Sequence, residues 1–282
     1  MAEAPQRRKR HVIRARVLRV ERLTPHLVRV VLGGPGLEGF TAGEYSDHYV
    51  KLLFPPEGVT YPEPFDIERI RAELPREQWP RTRTYTVRRW DADARELWLD
   101  FVGHGDEGLA GPWAARVRPG EEIHFMGPGG AYAPDPAADW HLLAGDESAL
   151  PAIAAALERI PDGARAEAFV EVADAAEELP LTVPAGTTVH WLHRDGRQIG
   201  DALVEAVRAL EFPAGTPHVF VHGEANFVKE LRRYLRVERG LDRDRLSISG
   251  YWRRGADEDG WQASKREWNA RIEQEQEGTP VA

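Results

Sequence analysis

The apolar positions of this chain follow two periods, one in each half. In the first half they alternate with polar ones: His11 to Glu21 and Leu27 to Leu32 interleave Val, Ile or Leu with Arg, and Asp47 to Phe54, Thr82 to Arg89, Arg95 to Val102 and Glu121 to Met126 follow. A period of two sends successive side chains to opposite faces, so these six stretches predict strands. Gly- and Pro-containing turns separate them, and closure into a small barrel removes the edges such strands otherwise expose. One connection is long. Pro55 to Pro80 holds several prolines and a short amphipathic piece, Asp66 to Leu74, which reads as an insertion packed over the barrel.

The period changes after a join at Pro134 to Asp139. Trp140 to Ala144, Ala166 to Val172, Thr188 to Leu192, His218 to Val221 and Leu246 to Tyr251 are short apolar runs that predict buried strands. Ala149 to Arg159, Asp201 to Leu210 and Phe227 to Arg239 have helical spacing, with Asn226 as an expected N-cap and Gly240 past the last end. The link from Val172 to Thr188 carries only a short helical piece around Asp174 to Glu178. Strands alternating with helices imply an open parallel sheet covered on both faces. The expected organisation is a β-barrel domain over 8–136 with an insertion around 55–80, an α/β domain over 137–256 and a C-terminal helical extension over 257–282. In that extension, Gly260 to Glu277 reads as a charged helix that packs Trp261, Trp268 and Ile272 onto the body, in a structural or dimeric role.

Composition narrows the chemistry. With 0 cysteines in 282 residues there is no disulfide framework, thiolate zinc site or protein-ligated iron–sulfur cluster. The formal charge of −9 argues against nucleic acid as a partner, and Arg7-Arg8-Lys9-Arg10 reads as a solvated tail. No apolar run is long enough to span a bilayer and no secretory signal is recognisable, so the expected location is the cytoplasm, without membrane insertion.

Two stretches of the first half and two turns of the second carry candidate chemistry. Alternation along Arg81 to Arg88 sends Arg83, Tyr85 and Val87 to one face and Thr84, Thr86 and Arg88 to the other. A fixed cation suits a phosphate and a flat ring suits another flat ring, although an ordinary strand with solvated arginines has the same pattern. Strand Leu97 to Val102 runs into Gly103 through Ala114, where small residues let the backbone approach a phosphate or simply form a loop and helix cap. Gly145-Asp146-Glu147-Ser148 and His222-Gly223-Glu224-Ala225 fall at strand-to-helix turns, where open parallel sheets bind ligands. The Gly-x-Gly-x-x-Gly fingerprint is missing, and Gly127-Pro128-Gly129-Gly130 does not replace it because no helix follows. His190 and His193 face opposite ways at strand spacing, so no metal site is expected.

Four stretches together resemble one family: Asp47-His48-Tyr49-Val50-Lys51-Leu52-Leu53-Phe54-Pro55, Arg83-Thr84-Tyr85-Thr86-Val87-Arg88, His104-Gly105-Asp106-Glu107-Gly108 through Trp113-Ala114, and Gly250-Tyr251-Trp252-Arg253-Arg254-Gly255. The chain resembles, over almost its whole length, the siderophore-interacting proteins, FAD-containing ferric-siderophore reductases of the ferredoxin–NADP reductase superfamily. The resemblance implies an N-terminal six-stranded antiparallel FAD-binding β-barrel followed by an open parallel-sheet NAD(P)-binding α/β domain. It implies that Arg83 contacts the FAD pyrophosphate, Tyr85 packs on the isoalloxazine and Thr86 bonds near flavin N5, through its backbone if the strand is regular. Thr84, Asp100, Phe101, Val102, His104, Gly108, Leu109, Ala110, Gly111 and Trp113 complete the expected FAD cradle. Asp146, Ser148, Ala149, Gly223, Glu224 and Ala225 would line the nicotinamide nucleotide site, with Trp252 stacking near the flavin or filling a domain interface.

The implied reaction passes electrons from NADH or NADPH through FAD to Fe(III) in a siderophore, whose hard oxygen donors favour the ferric ion. No side chain is expected to act as catalytic acid or base, and the protein need not ligate iron. Lys51, Arg253 and Arg254 are the expected contacts for an anionic chelate. A general flavin or ferric-chelate reductase and a non-catalytic siderophore-binding or delivery protein are the alternatives. The donor stays open, since Glu171 and Asp174 would repel a 2′-phosphate while Arg194 and Arg197 would attract one. Monomer and dimer also stay open.

Overall fold

The computed structural model describes residues 12–103, 105 and 108–278. Its first half contains β1 (Val12–Arg22), β2 (Leu27–Gly33), β3 (Tyr49–Phe54), β4 (Arg81–Asp91), β5 (Glu96–Val102) and β6 (Glu122–Gly129). These close an antiparallel barrel in the order β1-β2-β5-β4-β3-β6. Alternation works as the pattern predicts. In β1, Ile13, Ala15 and Val17 are buried while Arg14 and Arg16 are exposed, and Val30, Leu52, Leu99 and Phe125 fill the same core. The insertion holds α1 (Ile67–Glu73), started by the Asp66 carboxylate, which accepts the N–H groups of Glu68 and Arg69. A second short helix, α2 (Ala110–Arg116), sinks Ala110 and Ala114 into the barrel core.

Barrel closure is incomplete along one seam. The first half of β4, Arg81 to Thr86, pairs with β3, but pairing of β4 with β5 starts only at Val87. β5 continues to Val102 against β2. The two strands therefore splay apart, and N–H groups on that edge of β4 need partners from outside the sheet.

The second half contains β7 (Trp140–Gly145), α3 (Leu150–Leu157), β8 (Arg165–Val172), β9 (Thr187–His193), α4 (Asp201–Ala209), β10 (Pro217–Glu224), α5 (Ala225–Arg233), β11 (Leu246–Trp252) and α6 (Glu258–Glu277). The sheet is parallel, in the order β11-β10-β7-β8-β9. The chain leaves β7 in one direction and returns on its other side as β10, which creates a topological switch point between those strands. Leu143 and Phe220 enter one core and Leu142, Val219 and Val221 the other, so strands covered on both faces lose visible alternation. Helix α3 has all 8 residues buried because it lies between this sheet and β4.

Two helical expectations are corrected. The cap of α5 is Glu224, not Asn226: its carboxylate accepts the Asn226 N–H at 2.7 Å and the Asn226 side-chain amide at 3.0 Å. The α-helix ends at Arg233 and continues as one π-helical turn, Tyr234–Glu238, rather than running to Arg239; Gly240 follows with φ 69°. The final helix starts at Glu258, capped by Asp257, and buries Trp261 and Ile272 against its own chain. Lys229–Glu275 and Arg232–Glu277 ion pairs tie it to α5. Among the described residues, no helix is long and apolar enough to cross a membrane.

Candidate active site

The seam of the barrel gathers the residues of the Arg-x-Tyr-Thr strand. Tyr85 lies with its ring centroid 4.2 Å from that of Phe101, which is 5.5 Å from Trp113, so an aromatic wall lines the splayed strands. Burial pushes the Tyr85 phenol above its ordinary range and keeps it neutral. Arg83 is 7% exposed and donates to both oxygens of Asp259, at 2.8 and 3.0 Å, while its Nε stands 3.2 Å from Glu258. Glu258 also accepts the N–H of Thr84 at 3.1 Å, a donor on the open edge of β4. Burial alone would lower the Arg83 pKa; the Asp259 hydrogen bond and the two carboxylate charges leave it raised, so it stays a cation. Thr86 is buried on the other face, beside the Tyr251 side chain of β11.

This seam fits the flavin cofactor implied by the sequence. A guanidinium and a backbone N–H converge on carboxylate oxygens, and the same donor set suits the oxygens of a pyrophosphate. The flat wall beside it suits a flat ring. Elsewhere in the expected cradle the side chains serve the barrel. Asp100 accepts from Arg29 at 2.7 and 2.8 Å across β2 and β5, Phe101 and Ala110 are buried, and Leu109 and Trp113 pack against the core. Gly111 is close-packed, since a Cβ there would come 3.1 Å from the Val102 carbonyl. Gly108 has φ 81°, a conformation glycine adopts without strain. His104 lies outside the described residues.

The carboxyl ends of β7, β10 and β11 meet at Asp146. Its carboxylate accepts the Ser148 N–H at 2.9 Å, the Ser148 hydroxyl at 2.5 Å, the Glu224 N–H at 2.9 Å and the Trp252 indole N–H at 2.9 Å. Burial pushes Asp146 up to about 6, against the opposing pull of these donors. Glu224 is likewise turned inward, and it accepts the Arg254 N–H at 3.1 Å. A Cβ at Gly223 would lie 2.6 Å from Phe227 and 2.8 Å from Asp146, and one at Gly145 would lie 2.5 Å from the Ala149 Cβ. The structure thus brings Asp146, Ser148, Ala149, Gly223, Glu224, Ala225 and Trp252 to one edge. Ala149 and Ala225 are fully buried, whereas Ser148 and Trp252 keep partial exposure.

The expected chelate contacts also have definite places. Lys51 is half-buried on β3 opposite Thr84, with Nζ 6.0 Å from the Tyr49 ring. Arg253 and Arg254 are exposed after β11, and Arg254 donates to Gln198 at 2.9 Å. A cation absent from the sequence reading, Lys265, donates to Ser249 Oγ at 3.0 Å; burial and then the nearby charge of Lys51 lower its pKa. Its signal was the stripe Trp261, Lys265, Trp268, Ile272, which puts a lysine on the packed face of α6. Glu258 and Asp259 were missed because nothing in their spacing links the start of α6 to β4. His190 and His193 pair with different carboxylates, Glu167 at 2.8 Å and Glu178 at 2.7 Å.

The same division of the chain appears among known proteins. Residues 16–132 match the model of the siderophore-interacting FAD-binding domain, and residues 138–255 match that of the siderophore-interacting protein. The chain belongs to the siderophore-interacting protein family. Within and around this family, the ferric vibriobactin reductase ViuB of Vibrio cholerae is 36% identical, with 86% of this chain and 90% of that protein covered. The NADPH-dependent ferric-chelate reductase of Escherichia coli is 33% identical, with 84% and 91% covered. The crystal structure of a siderophore utilization protein from T. fusca superposes with a TM-score of 0.76 at 41% identity, covering 88% of this chain and 95% of that one.

Proposed function

We propose that this siderophore-interacting protein is an oxidoreductase that uses NADH or NADPH and FAD to reduce ferric siderophores, releasing Fe(II). The observation that carries the reading is the open edge of β4, where Arg83 and the Thr84 N–H converge beside the Tyr85 ring. FAD, when bound, would supply the redox chemistry that links a two-electron donor, the reduced nicotinamide, to a one-electron acceptor, ferric iron. Arg83 and the Thr84 N–H would hold the FAD pyrophosphate in place of the carboxylates of Glu258 and Asp259. Tyr85 supports the ring, and Thr86 with Tyr251 closes the seam between barrel and sheet. Asp146 and Glu224 shape the nucleotide edge without meeting the nucleotide themselves, leaving Ser148 and Trp252 to face it. Lys51, joined by Lys265, holds the anionic chelate, with Arg253 and Arg254 beyond the end of β11. The supply of reduced nicotinamide places the reaction in the cytoplasm.

The purified protein, supplied with FAD, a reduced nicotinamide and a ferric catecholate or hydroxamate siderophore, should form Fe(II) captured by a ferrous chelator in an FAD-dependent way. Tight siderophore binding with no FAD uptake and no Fe(II) would replace this reading with that of a carrier. Equal rates on siderophores and simple ferric chelates would reduce it to a general ferric-chelate reductase.

A further inference from the structure

A second opening lies between the two halves of the molecule, at the carboxyl ends of β7, β8 and β9. It is a crevice of about 230 Å³ whose lining includes Leu27, Val102, Glu147, Ala173, Glu177 and Arg194. It sits on the β8 side of the switch point, and in doubly wound sheets the end of the second strand is where the adenosine ribose is read: a carboxylate accepts the 2′-hydroxyl, an arginine accommodates a 2′-phosphate. Both residue types are present here. What decides between them is whether the arginine has charge to spare.

Arg194 does not. Its guanidinium is clamped by both oxygens of Glu147, Nη1 to Oε2 at 2.8 Å and Nη2 to Oε1, and Nη1 also lies 3.6 Å from Glu171. The three side chains are 12%, 14% and 0% exposed, so water screens the clamp little. Glu171 is held in place as well, accepting the Gly200 N–H at 2.8 Å and the Leu203 N–H at 3.2 Å. The turn after β8 adds another buried carboxylate to the lining, Glu177, bonded to the Thr24 hydroxyl and to His26 Nδ1 at 2.6 Å. Arg197 is exposed and paired with Glu205 at 2.7 Å. One arginine faces two carboxylates in the cluster, the Glu177–His26 pair lines the same crevice, and a phosphate monoester would bring a further charge of about −1.5 to −2. A ribose hydroxyl would instead meet acceptors.

We propose that Glu147, by clamping Arg194 at the ribose end of the crevice, sets the electron donor as NADH in preference to NADPH. Glu147 acts here as a specificity-determining residue, and the inference rests on the reductase reading only for its kinetic consequence.

Calorimetry on the FAD-supplied protein tests it without turnover. At low ionic strength ADP-ribose should bind at least about tenfold more tightly than 2′-phospho-ADP-ribose, the penalty of like charges at close range. Glu147→Gln, checked for native circular dichroism, should free Arg194 and narrow the ratio by about tenfold, mainly through tighter binding of the phosphorylated ligand. Equal or tighter binding of 2′-phospho-ADP-ribose by the unaltered protein overturns the proposal, and that result decides even if the variant does not fold. In turnover with a ferric siderophore, kcat/KM should favour NADH. Preference for NADPH would overturn the inference and leave the reductase standing. Tighter ADP-ribose binding without Fe(II) formation from either donor would uphold the inference and remove the reductase.

Discussion

Arg83 is buried and Arg194 nearly so, both are raised in pKa and both are held by two carboxylates, yet their partners differ in kind. Arg194 takes its partners from the sheet that carries it, and Glu147 and Glu171 are 14% and 0% exposed. Arg83 takes its partners from the first turn of α6, with Glu258 and Asp259 28% and 54% exposed. A carboxylate on the solvated end of a separate element can yield to a phosphate oxygen, because water receives it when it leaves. A carboxylate with no exposure that also anchors a helix start cannot. On the proposed function, the same ion-pair chemistry would give an exchangeable anion site on the barrel and a fixed charge on the sheet.

The comparison breaks most directly through stability. Glu171→Ala leaves the buried Gly200 and Leu203 N–H groups without this acceptor and takes one of two carboxylates from Arg194, and it should lower unfolding free energy by about 2–4 kcal/mol in denaturant titrations. Asp259→Ala, on the exposed side of the other cluster, should cost no more than about 1 kcal/mol. Similar losses in the two variants would erase the distinction. Next in size, Arg83→Ala should weaken FAD about 30- to 100-fold, seen as lost flavin absorbance after gel filtration, since it removes charged hydrogen bonds worth roughly 2–3 kcal/mol. Full FAD retention would take Arg83 out of the cofactor site.

Smaller effects sharpen the account. Lys51→Ala should raise KM for anionic chelates about three- to tenfold while flavin stays bound, as expected for a partly solvated cation. An unchanged KM would remove Lys51 from the chelate site. The smallest signal is a titration. Because the folded state raises Asp146 from 3.8 to about 6, its contribution to stability is full below the unfolded pKa and is lost as pH rises through about 6. Its hydrogen bond from the Trp252 indole offers a local reporter. Tryptophan fluorescence should show a transition near pH 6 that Trp252→Phe abolishes, and persistence of the transition in that variant would assign it elsewhere.

The barrel and sheet were legible because period-two alternation and short apolar runs are local properties, as in Ile13, Ala15 and Val17 or the buried run from Trp140. Arg83, Tyr85 and Thr86 were legible as a group for the same reason: one strand carries all of them. The nucleotide edge was only partly legible. Spacing located the turns at Asp146 and Glu224, but not that both carboxylates point inward and tie strand ends together. The Arg83 clamp and the Arg194 clamp pair residues that tertiary packing alone brings together, 176 positions apart for Asp259 and 47 for Glu147. Asn226 misled because it has a favoured capping side chain, whereas the buried Glu224 already occupied that role.

The central claim is that the β4 seam and the adjoining sheet edge form one electron-transfer site for an iron chelate. Its most direct test is an anaerobic titration of the FAD-supplied protein, first with reduced nicotinamide and then with a ferric siderophore and a ferrous chelator. The account predicts that the flavin's visible band bleaches with nicotinamide and returns as ferrous iron accumulates, two irons for each FAD. A bleached band that stays bleached when the ferric siderophore is added, with no ferrous iron formed, would contradict it.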